Sequence, residues 1–332
     1  MSHELQTVAV AGAGRMGRGI ALSFALAGYP VTLVDSERRS RKEFAELAAT
    51  VNTELGEETG LLRAAGVFDG AVLDAALDRI AIGSRADAHD ALQAADVVFE
   101  AVLEVLDVKR STYEWLSGEV RRETILASTT STMLADTLAD FVSGPDRYTN
   151  AHWLNPAYLM PLVEISPSRA TAGSTVDTLR GLLERVGKVP VVCAASPGYI
   201  LSRLQALVLN EAARLVEEGV ASAEDVDKAI RTGFGPRYTV FGPLEFIDWG
   251  GGDILYYASN YLAETIDSNR FSSPDIVKDN MAAGRNGMRE GQGFYDWQGM
   301  DLDAYRQGRL AAFAQLLGTL KLLPAAAAKS DR

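Results

Sequence analysis

The chain has 332 residues, 47 % of them apolar and 23 % charged, the balance of a globular protein long enough for two domains. Its formal net charge of −12 argues against a nucleic-acid partner and against an anionic membrane surface, because both need clustered Lys and Arg. The single cysteine, Cys193, rules out an intramolecular disulfide, and the scattered His3, His89 and His152 do not make a zinc site, so no metal is expected.

The opening segment MSHELQTVAV carries its apolar run straight into a strand and is not read as a signal peptide. No apolar run reaches the roughly 18 residues of a membrane span, so the expected compartment is the cytoplasm. Residues 7–11, 31–35, 80–82, 96–102 and 124–127 are near-continuous apolar, β-rich runs separated by helical stretches. That alternation predicts a doubly wound α/β domain of Rossmann type, its parallel sheet covered on both faces. Between 35 and 80 the chain is too long for a simple crossover, and helical patterns at 43–52 and 72–78 predict an inserted helical hairpin. Further strands are expected at 148–153, 162–165 and 189–193. After Pro197-Gly198 the pattern turns helical: 199–218, a helix capped by Ser222-x-x-Asp225, then 243–249, 253–263 and one more within 298–323. The tail AAAAKSDR is expected to fray. The expected division is therefore a dinucleotide-binding domain at 1–195 and an all-helical domain at 196–332.

Gly12-x-Gly14-x-x-Gly17 follows the first strand and opens a helix that Gly28 should end. Gly12 permits the tight turn, Gly14 lets backbone approach a pyrophosphate, and Gly17 allows close helix–strand packing. The second strand ends in Asp35, where a carboxylate binds a ribose 2′-hydroxyl and repels a 2′-phosphate. NAD is the expected cofactor, with Gly12, Gly14, Met16, Gly17 and Asp35 in its site. The basic run Arg38-Arg39-Ser40-Arg41-Lys42 is either a solvated helix start or a holder for a 2′-phosphate.

His152 ends a strand-like run, and Glu164 lies in the next one between Val163 and Ile165. An acid among such neighbours needs a partner. Beside a histidine it would fix the tautomer and stabilise the imidazolium, as the oxidation of a hydroxyl to a ketone requires.

With these residues in view, the sequence resembles the 3-hydroxyacyl-CoA dehydrogenase family over about residues 5–297. The resemblance runs through Gly12-x-Gly14-x-x-Gly17, Glu100-Ala-Val-Leu-Glu104 with Lys109, Ser128-Thr-Thr-Ser131 and His152-Trp-Leu-Asn155-Pro156. It continues through Glu164, Pro197-Gly198-Tyr199, Gly242-Pro243 and Gly291-x-Gly293-Phe294-Tyr295. It implies that His152 is the general base, that Glu164 orients and charge-balances it, and that Ser131 hydrogen-bonds the substrate oxygen. Glu104 and Lys109 would lie near the nicotinamide and its ribose. The resemblance also implies a homodimer through the helical domain, where 199–218 offers a wide apolar stripe.

One position departs from the family. An asparagine that donates near the substrate oxygen is replaced here by Ser202, before Arg203. A serine is shorter, so a water would have to bridge the gap. The family divides between acyl-CoA substrates and small carboxylates such as L-gulonate. Residues 54–90 hold three basic residues against eight acidic ones, a poor setting for a polyphosphate ligand. Gly235-Pro236-Arg237-Tyr238 resembles the small-carboxylate branch, in which Arg237 would grip a carboxylate. Family breadth places an L-3-hydroxyacyl-CoA thioester first, a free 3-hydroxy acid second, and a catalytically weakened NAD-binding structural protein third. Keeping Ser131, His152 and Glu164 together argues against the third, since a buried polar set costs stability without a use.

Overall fold

The computed structural model describes residues 6–323. His3 and the tail expected to fray lie outside the described residues. Each of the eight apolar runs forms a strand: β1 (Val8–Ala11), β2 (Val31–Val34), β3 (Ile80–Gly83), β4 (Val97–Glu100), β5 (Ile125–Ser128), β6 (Tyr148–Trp153), β7 (Leu162–Pro167) and β8 (Val189–Val192). They build one sheet in the order β3-β2-β1-β4-β5-β6-β7-β8. Every neighbouring pair is parallel except β6 and β7, which run antiparallel. The chain leaves β1 in one direction and returns to β4 on its other side, so the topological switch point lies between those strands. In open α/β sheets such a crevice is where ligands bind.

Alternate residues explain why the strands read as continuous apolar runs. Val8 and Val10 point into one core with Phe24, Phe99 and Trp153, whereas Ala9 and Ala11 point into another with Leu92, Tyr113 and Tyr148. Both faces are covered, so neither register position of β1 is polar.

The first seven helices are α1 (Arg15–Leu26), α2 (Arg41–Ala64), α3 (Gly70–Asp78), α4 (His89–Ala94), α5 (Leu106–Glu119), α6 (Ala135–Ala139) and α7 (Gly173–Arg185). The inserted hairpin is present as α2 and α3, but α2 is far longer than the expected 43–52. It starts at a full capping box. The Ser40 hydroxyl accepts from the Glu43 amide at 3.3 Å, and the Glu43 carboxylate accepts from the Ser40 amide at 2.9 Å. It continues because Val51, Leu55, Thr59 and Leu62 form a buried stripe at helical spacing.

Beyond β8 come α8 (Leu201–Glu217), α9 (Ala223–Ala229), α10 (Gly235–Val240), α11 (Pro243–Gly250), α12 (Gly252–Thr265), α13 (Ser268–Phe271), α14 (Asp275–Ala282) and α15 (Leu302–Thr319). The helix expected from 199 starts at Leu201, because Gly198 and Tyr199 both have positive φ, 73° and 49°. The chain divides into two compact units that part between Val208 and Leu209, inside α8 and later than the expected division at 195/196. The second unit is helical, with isolated bridges only at Gly287, Gln292 and Asp296 among its described residues. There Asp248 accepts from the amides of Phe294 and Tyr295 and from the Trp297 indole, each at 2.9 Å, and so ties the Gly291–Trp297 segment to α11.

Candidate active site

In the glycine loop between β1 and α1, Gly12 and Gly17 stand where no side chain fits. Gly12 has φ +116°, and a Cβ there would meet the Ala101 carbonyl oxygen at 2.5 Å. A Cβ on Gly17 would come within 1.8 Å of the Gly12 carbonyl oxygen, so α1 starts hard against the loop. At Gly14 nothing lies within 4 Å, which leaves its backbone open to a ligand. Gly12, Gly14, Asp35 and, from α2, Leu47, Val51 and Glu54 line a cavity of about 690 Å³. A cradle that a Cβ would fill, at the amino end of a helix and beside a strand-end acid, fits a dinucleotide. Asp35 is buried; its carboxylate accepts from the Glu37 amide at 3.1 Å and from Arg39 Nε at 2.9 Å.

His152 and Glu164 stand directly opposite each other in the antiparallel β6–β7 pair. His152 Nδ1 lies 2.8 Å from Glu164 Oε2, and the two residues are 6 % and 1 % exposed. The other carboxylate oxygen accepts from the amides of Ile200 and Leu201, at 3.0 and 2.9 Å. The Pro197-Gly198-Tyr199 turn is therefore part of the site, because it aims the first amides of α8 at Glu164. Its unusual Tyr199 backbone is held by a buried side chain. The Tyr199 hydroxyl accepts from Asn150 at 2.7 Å and faces the Thr130 and Met133 carbonyls at 3.2 and 3.1 Å, and its ring centre lies 5.5 Å from that of His152. Burial raises this phenol's pKa above its usual range.

The loop after His152 is pinned from below. Ser23 of α1 and Lys188 both donate to the Ala157 carbonyl, at 2.9 and 2.6 Å, and Lys188 also reaches the Met160 carbonyl at 3.1 Å. Burial pushes the Lys188 ammonium down to about 8.

A second cavity, of about 540 Å³, gathers Gly14, Met16, Glu104, Ser131, His152 and Ser202. It thus joins residues from the ends of β1, β4, β5 and β6 with one from α8. Glu104 is bound by the Thr130 hydroxyl, by the Ser131 amide at 3.0 Å and by Lys109 Nζ at 3.3 Å. Burial alone would push its carboxyl up, but these donors outweigh burial and hold it below the usual carboxylate range.

Two expected site residues stand elsewhere. Lys109 is 0 % exposed and lines neither cavity; it sits behind the wall, 2.9 and 3.1 Å from the Glu100 oxygens. It reaches the cavity only through Glu104. Arg237 belongs to the second unit, where its guanidinium lies 4.7 Å above the Phe246 ring.

Two residues of the His152 cavity were missed in the sequence, Arg15 and Gln205. Gln205 follows Ser202 by three positions and shares its helix face, so helical spacing could have found it. Arg15 hides inside the glycine motif, at a position the motif leaves free.

A strand-end acid, a glycine cradle and a buried His–Glu pair opening on one sheet edge define a dinucleotide-dependent oxidoreductase. Comparison with known proteins narrows the class. The family model for the 3-hydroxyacyl-CoA dehydrogenase NAD binding domain matches residues 7–196, and that for the C-terminal domain of the same family matches 198–297. The chain belongs to the 3-hydroxyacyl-CoA dehydrogenase family and is an NAD-dependent enzyme. It is 33 % identical to the mitochondrial hydroxyacyl-coenzyme A dehydrogenase of Sus scrofa, over 88 % of this chain and 91 % of that one. It is 31 % identical to the 5-formyl-3-hydroxy-2-methylpyridine 4-carboxylate 5-dehydrogenase of Mesorhizobium japonicum, over 94 % and 98 %. Among solved structures it resembles a 3-hydroxyacyl-CoA dehydrogenase from Archaeoglobus fulgidus, with a TM-score of 0.74, 32 % identity and coverage of 96 % and 100 %.

Proposed function

We propose that the chain interconverts an L-3-hydroxyacyl-CoA and its 3-ketoacyl-CoA, with His152 as the base. The observation that carries this reading is the occupancy of the imidazole. An ionised Glu164 only accepts hydrogen bonds, so Nδ1 carries the hydrogen between them and Nε2 presents a lone pair. Nε2 takes the hydroxyl proton as the carbonyl forms, and Glu164 balances the resulting charge. The Ser131 hydroxyl, in the same cavity, steadies the substrate oxygen, with Ser202 on the facing helix. Bound NAD supplies the hydride acceptor, held by the glycine loop, Met16 and Asp35, with Glu104 beside it and Lys109 supporting Glu104. In this reading residues 1–195 carry the cofactor and 196–332 the substrate and dimer functions.

A free 3-hydroxy acid is the second reading, and two observations favour it. Arg15 is the one cationic side chain lining the His152 cavity among the described residues, a partner for a small carboxylate. Helix α2 has no basic residue between Lys42 and Arg63, so its middle turns offer no cation to the phosphates of a CoA thioester. The Mesorhizobium relative is named for a pyridine carboxylate. The test is NADH consumption by the purified chain with acetoacetyl-CoA and with free acetoacetate. Turnover of the thioester supports the first reading; turnover of the free acid alone replaces it with the second.

We also infer a homodimer in the cytoplasm. No residue of α8 is buried, and Leu207 and Leu209 are 69 % and 65 % exposed, a costly surface for a monomer. Sedimentation that shows only monomer at micromolar concentration would end the dimer reading, and fractionation would test the compartment.

A further inference from the structure

Three arginines crowd the strand-end acid. Arg38, Arg39 and Arg85 line a cavity of about 380 Å³ with Asp35 and Trp115, and the same three arginines and Asp35 also border the dinucleotide cavity. Their roles differ. Arg39 is engaged by two carboxylates, Asp35 at 2.9 Å and Glu37 at 2.8 Å. Arg85 is fixed in place: it donates to the Ser36 carbonyl at 2.8 Å, and its guanidinium lies 4.4 Å from the centre of the Trp115 ring. It forms no ion pair among the described residues. Arg38 has no ion-pair or hydrogen-bond partner among them either. The remaining acid of this wall, Glu119, is taken by His89 at 2.8 Å. Burial first, and then the nearby Arg38 charge, lower the Arg85 pKa, with Glu119 and Asp35 acting in the opposite direction.

A strand-end carboxylate excludes a 2′-phosphorylated dinucleotide by like charge. Here Arg39 already sits against that carboxylate, and Arg38 and Arg85, neither in an ion-pair contact among the described residues, line the same space. We infer that this wall is an anion site at the adenosine ribose and that the chain binds NADP(H) as well as NAD(H). Arg38 and Arg85 meet the 2′-phosphate, with Arg39 shielding it from Asp35 or turning to join them. The inference concerns the adenosine end of the cofactor and does not depend on which hydroxy substrate is turned over.

The test is direct binding by calorimetry, with NADH, NADPH, ADP and adenosine 2′,5′-bisphosphate as probes. NADPH is expected to bind within about a hundredfold of NADH, and the bisphosphate more tightly than expected from a 2′-phosphate facing a bare carboxylate, so within the same range of ADP. The NADPH affinity should fall more steeply with added salt. In Arg38→Ala the ratio of NADPH to NADH affinity should drop about tenfold, the scale of one charge-assisted hydrogen bond. Arg39→Met, which bares Asp35, should lower the same ratio. NADPH binding weaker than NADH by more than a hundredfold, or an unchanged ratio in both variants, overturns the inference.

Discussion

Glu100 at the end of β4 and Glu164 in β7 are both buried, and each holds a cationic or ionisable partner. Glu100 accepts from Lys109 at 2.9 and 3.1 Å, Tyr113 at 2.9 Å, Ser128 at 2.7 Å and the Val102 amide at 2.9 Å. Lys109 spends its third proton on Glu104 at 3.3 Å. Around Glu164 the count of donors is smaller, and the partner keeps something back: His152 uses Nδ1 and lines the cavity with the rest of its ring. Burial and charge are common to the two clusters. What separates them is an unfilled valence that faces a cavity, and that is the feature chemistry requires. A saturated cluster instead fixes the strand, helix and loop that meet in it.

The largest effects should come from breaking each cluster at its partner. His152→Ala is expected to lower kcat by about 10²–10⁴-fold, the range of lost general-base catalysis, with a smaller effect on stability than on rate because Glu164 keeps the Ile200 and Leu201 amides. An unchanged kcat would remove the mechanism. Lys109→Met should do the reverse. It leaves Glu100 buried without its cation and is expected to cost about 3–5 kcal/mol of stability, read by denaturant unfolding. A loss no larger than that of a surface substitution would show that the Lys109–Glu100 contact does not hold the fold together.

Much of this contrast was hidden in the sequence. The strands were legible because two-sided burial leaves unbroken apolar runs, and β6 and β7 were among them. His152 and Glu164 were legible as a pair, though their antiparallel pairing was not, since strand direction depends on partners that no local pattern names. The family resemblance implies a place for Lys109 near the nicotinamide and its ribose, whereas its side chain lies behind the cavity wall. Its burial follows from α5 folding back under β4 and bringing it to Glu100, nine positions upstream, which is a tertiary fact. The length of α2 was partly legible in Ser40-x-x-Glu43, but Gly56 and Gly60 weaken the helical pattern that packing restores.

A smaller effect tests the support of His152 rather than its partner. Tyr199→Phe removes the hydroxyl between Asn150 and the carbonyls of Thr130 and Met133 and leaves the ring beside His152. The expected cost is about 1–3 kcal/mol, the range for buried groups that lose a partner. The kcat should fall less than tenfold, because Glu164 still receives the Ile200 and Leu201 amides. A loss of kcat as large as that of His152→Ala, in a variant of normal stability, would make the Tyr199 hydroxyl part of the chemistry.

Glu104 belongs to both regions, since it touches Lys109 on one side and the His152 cavity on the other. Its carboxyl is held below the usual range because the Thr130 hydroxyl, Lys109 and the Ser131 amide outweigh its burial. The folded form therefore binds the proton less readily than the unfolded chain. Its contribution to stability is complete above the unfolded carboxylate value of about 4.3 and is lost as the pH falls through the lower folded value. Glu104→Gln keeps the acceptor and removes the charge. The stability gap between wild type and this variant should be constant from neutral pH to about pH 5 and should close below about pH 4. A gap that stays the same down to pH 3 would mean that the hydrogen bonds, and not the charge facing Lys109, hold the Ser131 loop. Glu104 would then belong with the saturated cluster as packing, and the cavity wall would owe its shape to Thr130 and Ser131 alone.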